Sequence, residues 1–274
     1  MSLIAISSDS YASGLDIARR TAAALGYGLV DRELLASVAA ERGLPQEQLV
    51  QALEETPSFF GMRGRRQQEL LVHIQAACLE KLREDNQVCY GLGAHLYLVG
   101  VSHALRVRVL ADPKERLAET AAQRGLPPER AAKLLERQEQ ERRRWSQQFF
   151  QADEGDPAQY DMVLSLGNLE ADKAVELIGD AAGYRKFQAM TYSRKCLQDK
   201  ILAARVLEKL LPQFPDIRVQ ASDGTVVAQV QSLKRDQRKK QEAVRELASQ
   251  VPGVNYVEVH VIRDYFGQAA QSGR

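Results

Sequence analysis

Two hydrophobic rhythms divide the chain between Ile178 and Lys195. In the first part, short apolar runs at Leu3–Ile6, Tyr27–Val30, Gln87–Tyr90, Leu105–Leu110 and Tyr160–Leu166 alternate with longer segments whose apolar residues recur every three or four positions. Short β-branched runs read as strands and the 3.6-residue period as helices. The helical segments are Ser13–Leu25, Arg32–Arg42, Gln67–Leu82, Pro113–Arg124, Pro127 to about Phe150 and Leu169–Ile178. Within Gln67–Leu82, residues Leu70, Leu71, Ile74, Cys78 and Leu82 fall on one face. Pro113 and Pro127 stand at helix starts, where a missing N–H costs nothing. Alternating strands and helices predict an α/β fold with a mainly parallel sheet flanked by helices.

The second rhythm differs. Leu197, Ile201, Ala204, Leu207 and Leu211 predict an amphipathic helix ended by Pro212 and Pro215. Alternating strands Ile217–Ala221 and Val226–Val230 flank Ser222-Asp223-Gly224, a hairpin turn signal. A basic helix (Lys234–Gln250) and a last strand (Tyr256–Ile262) complete an α-β-β-α-β order. The organisation expected is a domain over residues 1–183, a smaller domain over 192–264 and a frayed tail over 265–274.

Composition changes this picture little. The chain has 274 residues, 45% hydrophobic and 27% charged, with a net charge of +1. That balance gives no global attraction to nucleic acid or anionic lipid. Met1–Asp9 has no basic start or long apolar core, and no run is long enough to cross a bilayer, so a cytoplasmic protein is expected. Cys78, Cys89 and Cys196 are odd in number and widely spaced, which fits buried thiols in a reducing compartment. His73, His95, His103 and His260 lack zinc-ligand spacing, and no metal ligands are assigned.

The chemistry concentrates where the first strand meets the first helix. A strand–loop–helix order aims unpaired N–H groups and the positive helix end at the loop, which makes an anion site. Residues Ser8, Asp9, Ser10, Tyr11, Ala12, Ser13 and Gly14 occupy that place. A full phosphate loop also needs a first glycine and a lysine. Here Gly14 is the loop's only glycine and Leu15 follows it. Asp31 and Arg32 lie at the end of another strand, where open α/β sheets place ligands; a helix cap by Asp31 is the alternative. Arg137, Arg142, Arg143 and Arg144 share a helix with Glu136, Glu139 and Glu141, which suits either a solvated helix face or a lid closing on phosphates. Trp145, Phe149 and Phe150 fit packing of the lid's end against the core. Lys234–Lys240 reads as a solvated helix face, with an anion patch as the rival.

The first part resembles the cytidylate kinase-like family of P-loop proteins over about residues 1–180. That family opens with Ile-Ser-Arg-Glu-(Phe/Tyr)-Gly-Ser-Gly-Gly-(Arg/Lys)-Glu-Ile-Ala, against which stand Ile6-Ser7, Gly14 and Asp16-Ile17-Ala18. Its Tyr-Asp-Arg-Glu-Leu is matched by Val30-Asp31-Arg32-Glu33-Leu34, and its Gly-Arg-Gly-Ala by Gly91-Leu92-Gly93-Ala94. Arg106-Val107-Arg108, the arginine-bearing lid helix and Asp156-Pro157-Ala158-Gln159-Tyr160-Asp161 follow in the family's order. The departures matter too: Ser8, Leu15 and Leu92 each replace a cation, and Tyr11 and Ser13 replace loop glycines. The segment 192–264 resembles the BON domain through Asp223-Gly224-Thr225-Val226 and Val251-Pro252-Gly253-Val254.

The resemblance implies a P-loop kinase fold. It implies a phosphate loop at Ser8–Gly14, nucleotide contacts at Asp31, Arg32, Gly91 and Gly93, and catalytic lid arginines Arg137, Arg142 and Arg143. Phosphoryl transfer relies on positioning and on cations at the moving group, and each missing donor typically costs about 2.7–4 kcal/mol. The reading is therefore a catalytically weakened protein that binds a nucleotide or other anion and signals through the attached module. An active CMP-type kinase using ATP and Mg²⁺ and a structural protein with an empty loop are the alternatives. A phosphate-bearing small molecule is the expected ligand, and a protein partner could dock on the second domain; no nucleic acid is expected.

Overall fold

A computed structural model describes residues 2–55, 62–232 and 236–263, and the expected tail over 265–274 lies outside them. The chain divides into two compact units, Met1–Arg194 and Lys195–Arg274. In the first, β1 (Leu3–Ser8), β2 (Gly28–Val30), β3 (Gln87–Tyr90), β4 (Ala104–Leu110) and β5 (Met162–Ser165) form one parallel sheet in the order β2-β3-β1-β4-β5. The chain runs to one side of β1 for β2 and β3, and to the other for β4 and β5. Strand order therefore reverses beside β1, and the crevice beyond its carboxyl end is where such sheets place ligands.

Helix α1 (Tyr11–Leu25) packs beside α8 (Ala171–Gly183). Ile4, Ile6, Ile17, Val88, Val107 and Ile178 belong to the core cluster there, and each is at most 1% exposed. Burying a side chain of this size contributes about 1.5–3 kcal/mol. Helices α2 (Leu34–Arg42), α3 (Gln46–Glu54) and α4 (Met62–Leu82) pack on one another. A single turn, α5 (Ala94–Tyr97), follows β3, and α6 (Pro113–Arg124) pairs with α7 (Pro128–Phe150).

Most boundaries follow the hydrophobic pattern, although α4 begins at Met62 and α8 runs on to Gly183, and three differences lie near the carboxyl edge of the sheet. Helix α1 begins at Tyr11 rather than Ser13, because Ser10 caps it and accepts a hydrogen bond from the Ser13 N–H at 3.4 Å. Helix α2 begins at Leu34 rather than Arg32, after a turn in which the Leu34 and Leu35 amides bond Asp31 and Arg32 carbonyls. Helix α3 was not expected: only Leu49, Ala52 and Leu53 are buried on it, too few to stand out among its glutamines and glutamates.

The second unit has the expected α-β-β-α-β order. After α9 (Thr191–Leu210) come β6 (Arg218–Ser222), β7 (Thr225–Ser232), α10 (Gln237–Ser249) and β8 (Tyr256–Arg263), in a sheet ordered β6-β7-β8. β6 and β7 are antiparallel, and β7 and β8 parallel. Asp223 and Gly224 turn the hairpin with φ of 55° and 77°, the left-handed pair that two-residue hairpin turns require. Val226, Ala228, Val230, Val244, Ala248 and Val257 are buried. Lys234 and Arg235 of the basic run lie outside the described residues; Arg238 pairs with Glu242 and Lys240 bonds the Gln231 carbonyl.

Because the second unit buries its own valine layer, residues 191–264 expressed alone are expected to melt in one cooperative transition followed by circular dichroism. A non-cooperative, disordered fragment would show that this layer depends on the first unit.

Candidate functional site

The carboxyl edge of the parallel sheet is lined by residues whose placement follows from strand register. Ser7 of β1 lies opposite Arg108 of β4, so their side chains share a face, and Arg108 Nη1 donates to Ser7 Oγ at 2.6 Å. Both reach the carboxylate of Glu154, from the connection between α7 and β5. Ser7 Oγ donates to Glu154 Oε1 at 2.8 Å, and Arg108 Nη1 lies 3.3 Å from the same oxygen. Arg142 of α7 donates from Nε to Glu154 Oε2 and from Nη1 to the Leu53 carbonyl at 2.7 Å. Its guanidinium stacks 3.8 Å from the centre of the Trp145 ring, whose Nε1 donates to the Ala52 carbonyl.

Glu154 is only 4% exposed. Burial alone would push its carboxyl up. The charges of Arg142, of His95 when protonated and of Arg108, with the Arg142 hydrogen bond, override that and bring it down to about 2. Its backbone is fixed too: its N–H bonds Ser146 Oγ, and its carbonyl accepts from the Tyr160 hydroxyl. His95 lies 3.8 Å from Glu154 and stacks on Tyr160. Burial holds His95 down at about 4, with Arg142, Arg108 and Arg106 opposing the pull of Glu154. The ring is therefore neutral near neutral pH.

The connection from β1 to α1 is tighter than the expected loop. Tyr11, Ala12, Ser13 and Gly14 form the first turn of α1, and the Gly14 amide bonds the Ser10 carbonyl. Of the expected phosphate loop only Asp9 and Ser10 stand between strand and helix. The rest of that expected loop forms the N-terminal turn of α1. The cause is visible: the Tyr90 hydroxyl donates to the carbonyls of Ser10 and Tyr11, and a Cβ on Gly14 would collide with Tyr90 and Ser8. Asp9 accepts from the Ala111 amide at 2.8 Å and pairs with Arg116 at 3.2 Å, and Arg116 also pairs with Glu139.

Asp31 is buried and accepts from the Glu33 amide at 2.9 Å in the turn before α2. Glu33 holds that helix's N-cap position, with no side-chain cap bond, so Asp31 does not cap the helix itself. Arg32 pairs with Glu54 at 2.5 Å and lies over the Tyr11 ring at 4.3 Å. Gly91, Leu92 and Gly93 are all left-handed, with φ of 67°, 53° and 80°. Leu92 is buried, so this position presents a core side chain where the family pattern has a cation.

Of the three lid arginines, the structure brings in only Arg142. Arg137 pairs with Glu141 on the exposed helix face, and Arg143 faces Asp153 at 3.9 Å with most of its side chain in solvent. Trp145 is buried, with ring contacts to Phe149 and Phe150, as its packing role requires. Arg142 and Trp145 clamp the end of α7 to the last turn of α3 through the Leu53 and Ala52 carbonyls. Sequence reasoning missed Ser7, Glu154, Arg116 and Tyr90 as site residues. It noted Arg108 only as part of a strand motif; serine and arginine facing each other in register become visible only once β1 and β4 are paired.

Among the described residues, no group of three or more histidine, cysteine or acidic side chains could hold a metal ion, and no helix is long and apolar enough to cross a membrane. Cys78 and Cys89 are buried as thiols with Sγ atoms 3.6 Å apart.

The fold is thus a parallel α/β sheet with Arg108 and Arg142 gathered beyond the carboxyl end of its central strand. The profile of the Cytidylate kinase-like family matches residues 3–168, and the chain belongs to that family. It is 25% identical over 175 residues to a cytidylate kinase of Archaeoglobus fulgidus, an alignment covering 63% of this chain and 89% of that protein. Among solved structures it resembles an uncharacterized protein from Eubacterium ventriosum, with TM-score 0.50 and 18% identity over 68% of this chain and all of the other. A dephospho-CoA kinase from Campylobacter jejuni gives TM-score 0.40 at 12% identity, covering 66% of this chain and 96% of that one.

The pKa shifts set a pH dependence. His95 titrates lower in the fold than its ordinary 6.5, and Glu154 lower than 4.5, so in both ranges the unfolded chain binds more protons. Stability is then lost on acidification, first between pH 6.5 and about 4 through His95, then from pH 4.5 down through about 2 as Glu154 protonates. Urea unfolding across this range is expected to show both slopes. His95→Gln should reduce the first, to which buried His103 also contributes, and shrink the second, because protonated His95 helps hold Glu154 down. Equal stability from neutral to mildly acidic pH in the native chain would contradict the buried neutral imidazole.

Proposed function

We propose that this protein is a catalytically weakened member of its family that binds a nucleotide or similar phosphate-bearing molecule and passes the bound state to its C-terminal module. The carrying observation is the convergence of Ser7, Arg108 and Arg142 beyond β1, beside a strand-to-helix connection that has no cation of its own. Arginines hold phosphate in a bidentate fork, and the α1 N-terminus, from Ser10 to Gly14, supplies amides and a favourable dipole. Asp31, Arg32, Gly91 and Gly93 end neighbouring strands on the same sheet edge and would contact the rest of the nucleotide. Arg137 and Arg143 remain available on the lid.

An active CMP-type kinase using ATP and Mg²⁺ is the second reading, favoured by the family membership. The described residues fit one phosphate better than they fit a metal-bound triphosphate. Leu15 sits half-buried against the core where the family pattern has Arg or Lys, and the Asp9 carboxylate is engaged by Ala111 and Arg116. The loss of several charge-neutralising groups, each about a hundred- to thousandfold in rate, supports weak turnover.

The α-β-β-α-β module is BON-like in its element order and hairpin, and a protein partner fits an attachment role for it. The absence of a membrane-length helix among the described residues is compatible with a cytoplasmic location.

Coupled assays with ATP, Mg²⁺ and each common nucleoside monophosphate are expected to give turnover far below the roughly 1–100 s⁻¹ typical of kinases, while calorimetry detects binding of CMP or ATP. Robust turnover would establish the second reading, and no binding of either nucleotide would contradict the first. Arg142→Ala, studied at a temperature where it remains folded, should weaken CMP binding by about 1.5–3 kcal/mol, the range for hydrogen bonds to charged groups. It should also lower stability by about 2–3 kcal/mol. That is less than the ~3–5 kcal/mol for breaking a fully buried pair, because Arg108 still faces Glu154.

A further inference from the structure

We propose that Glu154 is an internal plug of the arginine site: its carboxylate occupies the position that a ligand phosphate takes, and the ligand binds by exchanging with it. This rests on the reading that Arg108 and Arg142 receive a phosphate, and it adds how access to that position is regulated.

Three observations carry the inference. The first is contact chemistry. Glu154 receives Ser7 Oγ and Arg108 on one oxygen and Arg142 Nε on the other, so one planar anion is gripped from three elements. Those donors would serve a phosphate equally well, since guanidinium forks fit both anions. The second is charge. Arg108 and Arg142 bring two positive charges to one carboxylate, and no other carboxylate among the described residues pairs with either. His95 is neutral and adds none. A phosphate dianion balances the two guanidiniums, whereas Glu154 leaves one positive charge over in a largely buried place, where imbalance is costly. The third is anchoring. The plug is held through its backbone by Ser146 Oγ and the Tyr160 hydroxyl; the Tyr160 ring also faces Arg108 at 6.0 Å, whereas Ser146 bonds only the Glu154 amide and the Arg143 carbonyl. At Ser146 the grip on Glu154 can therefore be loosened without altering the groups that receive the phosphate.

The same arrangement recurs nearby, where Arg116 is held by Asp9 and Glu139 and Arg32 by Glu54. Glu139 and Glu54 are half exposed, so exchange there needs little energy, and Asp9 is partly buried. Only at Glu154 is the competing anion buried.

The test is calorimetric binding of CMP and of inorganic pyrophosphate to the full chain. Glu154→Gln keeps the shape and removes the charge, and is expected to raise affinity for both probes at least tenfold. Ser146→Ala, which only loosens the anchor, should raise it severalfold and keeps the proposal testable if the first variant does not fold. The gain should vanish in Glu154→Gln combined with Arg142→Ala. If Arg142→Ala weakens binding but Glu154→Gln and Ser146→Ala leave it unchanged or reduced, the plug is overturned while the arginine site stands. Should Arg142→Ala also leave affinity unchanged, the arginine site falls, and the plug with it.

Discussion

The first unit depends on one buried ion cluster. A carboxylate taken from water into a protein interior costs several kcal/mol unless it is well paired. Glu154 meets that cost with two guanidiniums, a hydroxyl and two backbone bonds. The side-chain partners come from three elements: Ser7 from β1, Arg108 from β4, and Arg142 and Ser146 from α7. The cluster therefore fixes where the long helix α7 ends relative to the sheet. Trp145, stacked on Arg142 and bonded to Ala52, extends that constraint to α3. The constraint is electrostatic where a hydrophobic contact would have sufficed for folding alone, and such a choice is common at sites built for charged ligands.

The sheet was legible because each strand is a compact apolar run and each long helix keeps its period. Helix α3 was not, since three apolar residues among glutamines make too thin a stripe. The beginning of α1 was misjudged for a different reason. Four residues that resemble a glycine-rich loop carry Tyr11 and Ser13 in place of glycines, so they keep helical geometry, and Tyr90 seals the turn from below. Leu92 shows the limit of motif matching: its backbone keeps the left-handed loop while its side chain has moved into the core. Glu154 carried no signal at all, because an acidic residue in a polar connection looks like solvent-facing chain until the strands are paired.

The site also explains how family membership and altered chemistry coexist. The strand-borne Ser7 and Arg108 and the lid's Arg142 persist, and these are groups that hold an anion. The altered positions, Ser8 at the end of β1, Leu15 in α1 and Leu92 in the turn after β3, are those where the family pattern has cations. Holding and transferring are separable tasks, since binding a ground state does not by itself lower a barrier. A chain that keeps the first set and changes the second is what the proposed ligand-binding role requires.

The most direct measurement is a crystal structure of the full chain with CMP. The account predicts the phosphate between Ser7, Arg108 and Arg142, with the Glu154 carboxylate withdrawn from both guanidiniums. Phosphate bound elsewhere, or bound while Glu154 still holds both arginines, would contradict it.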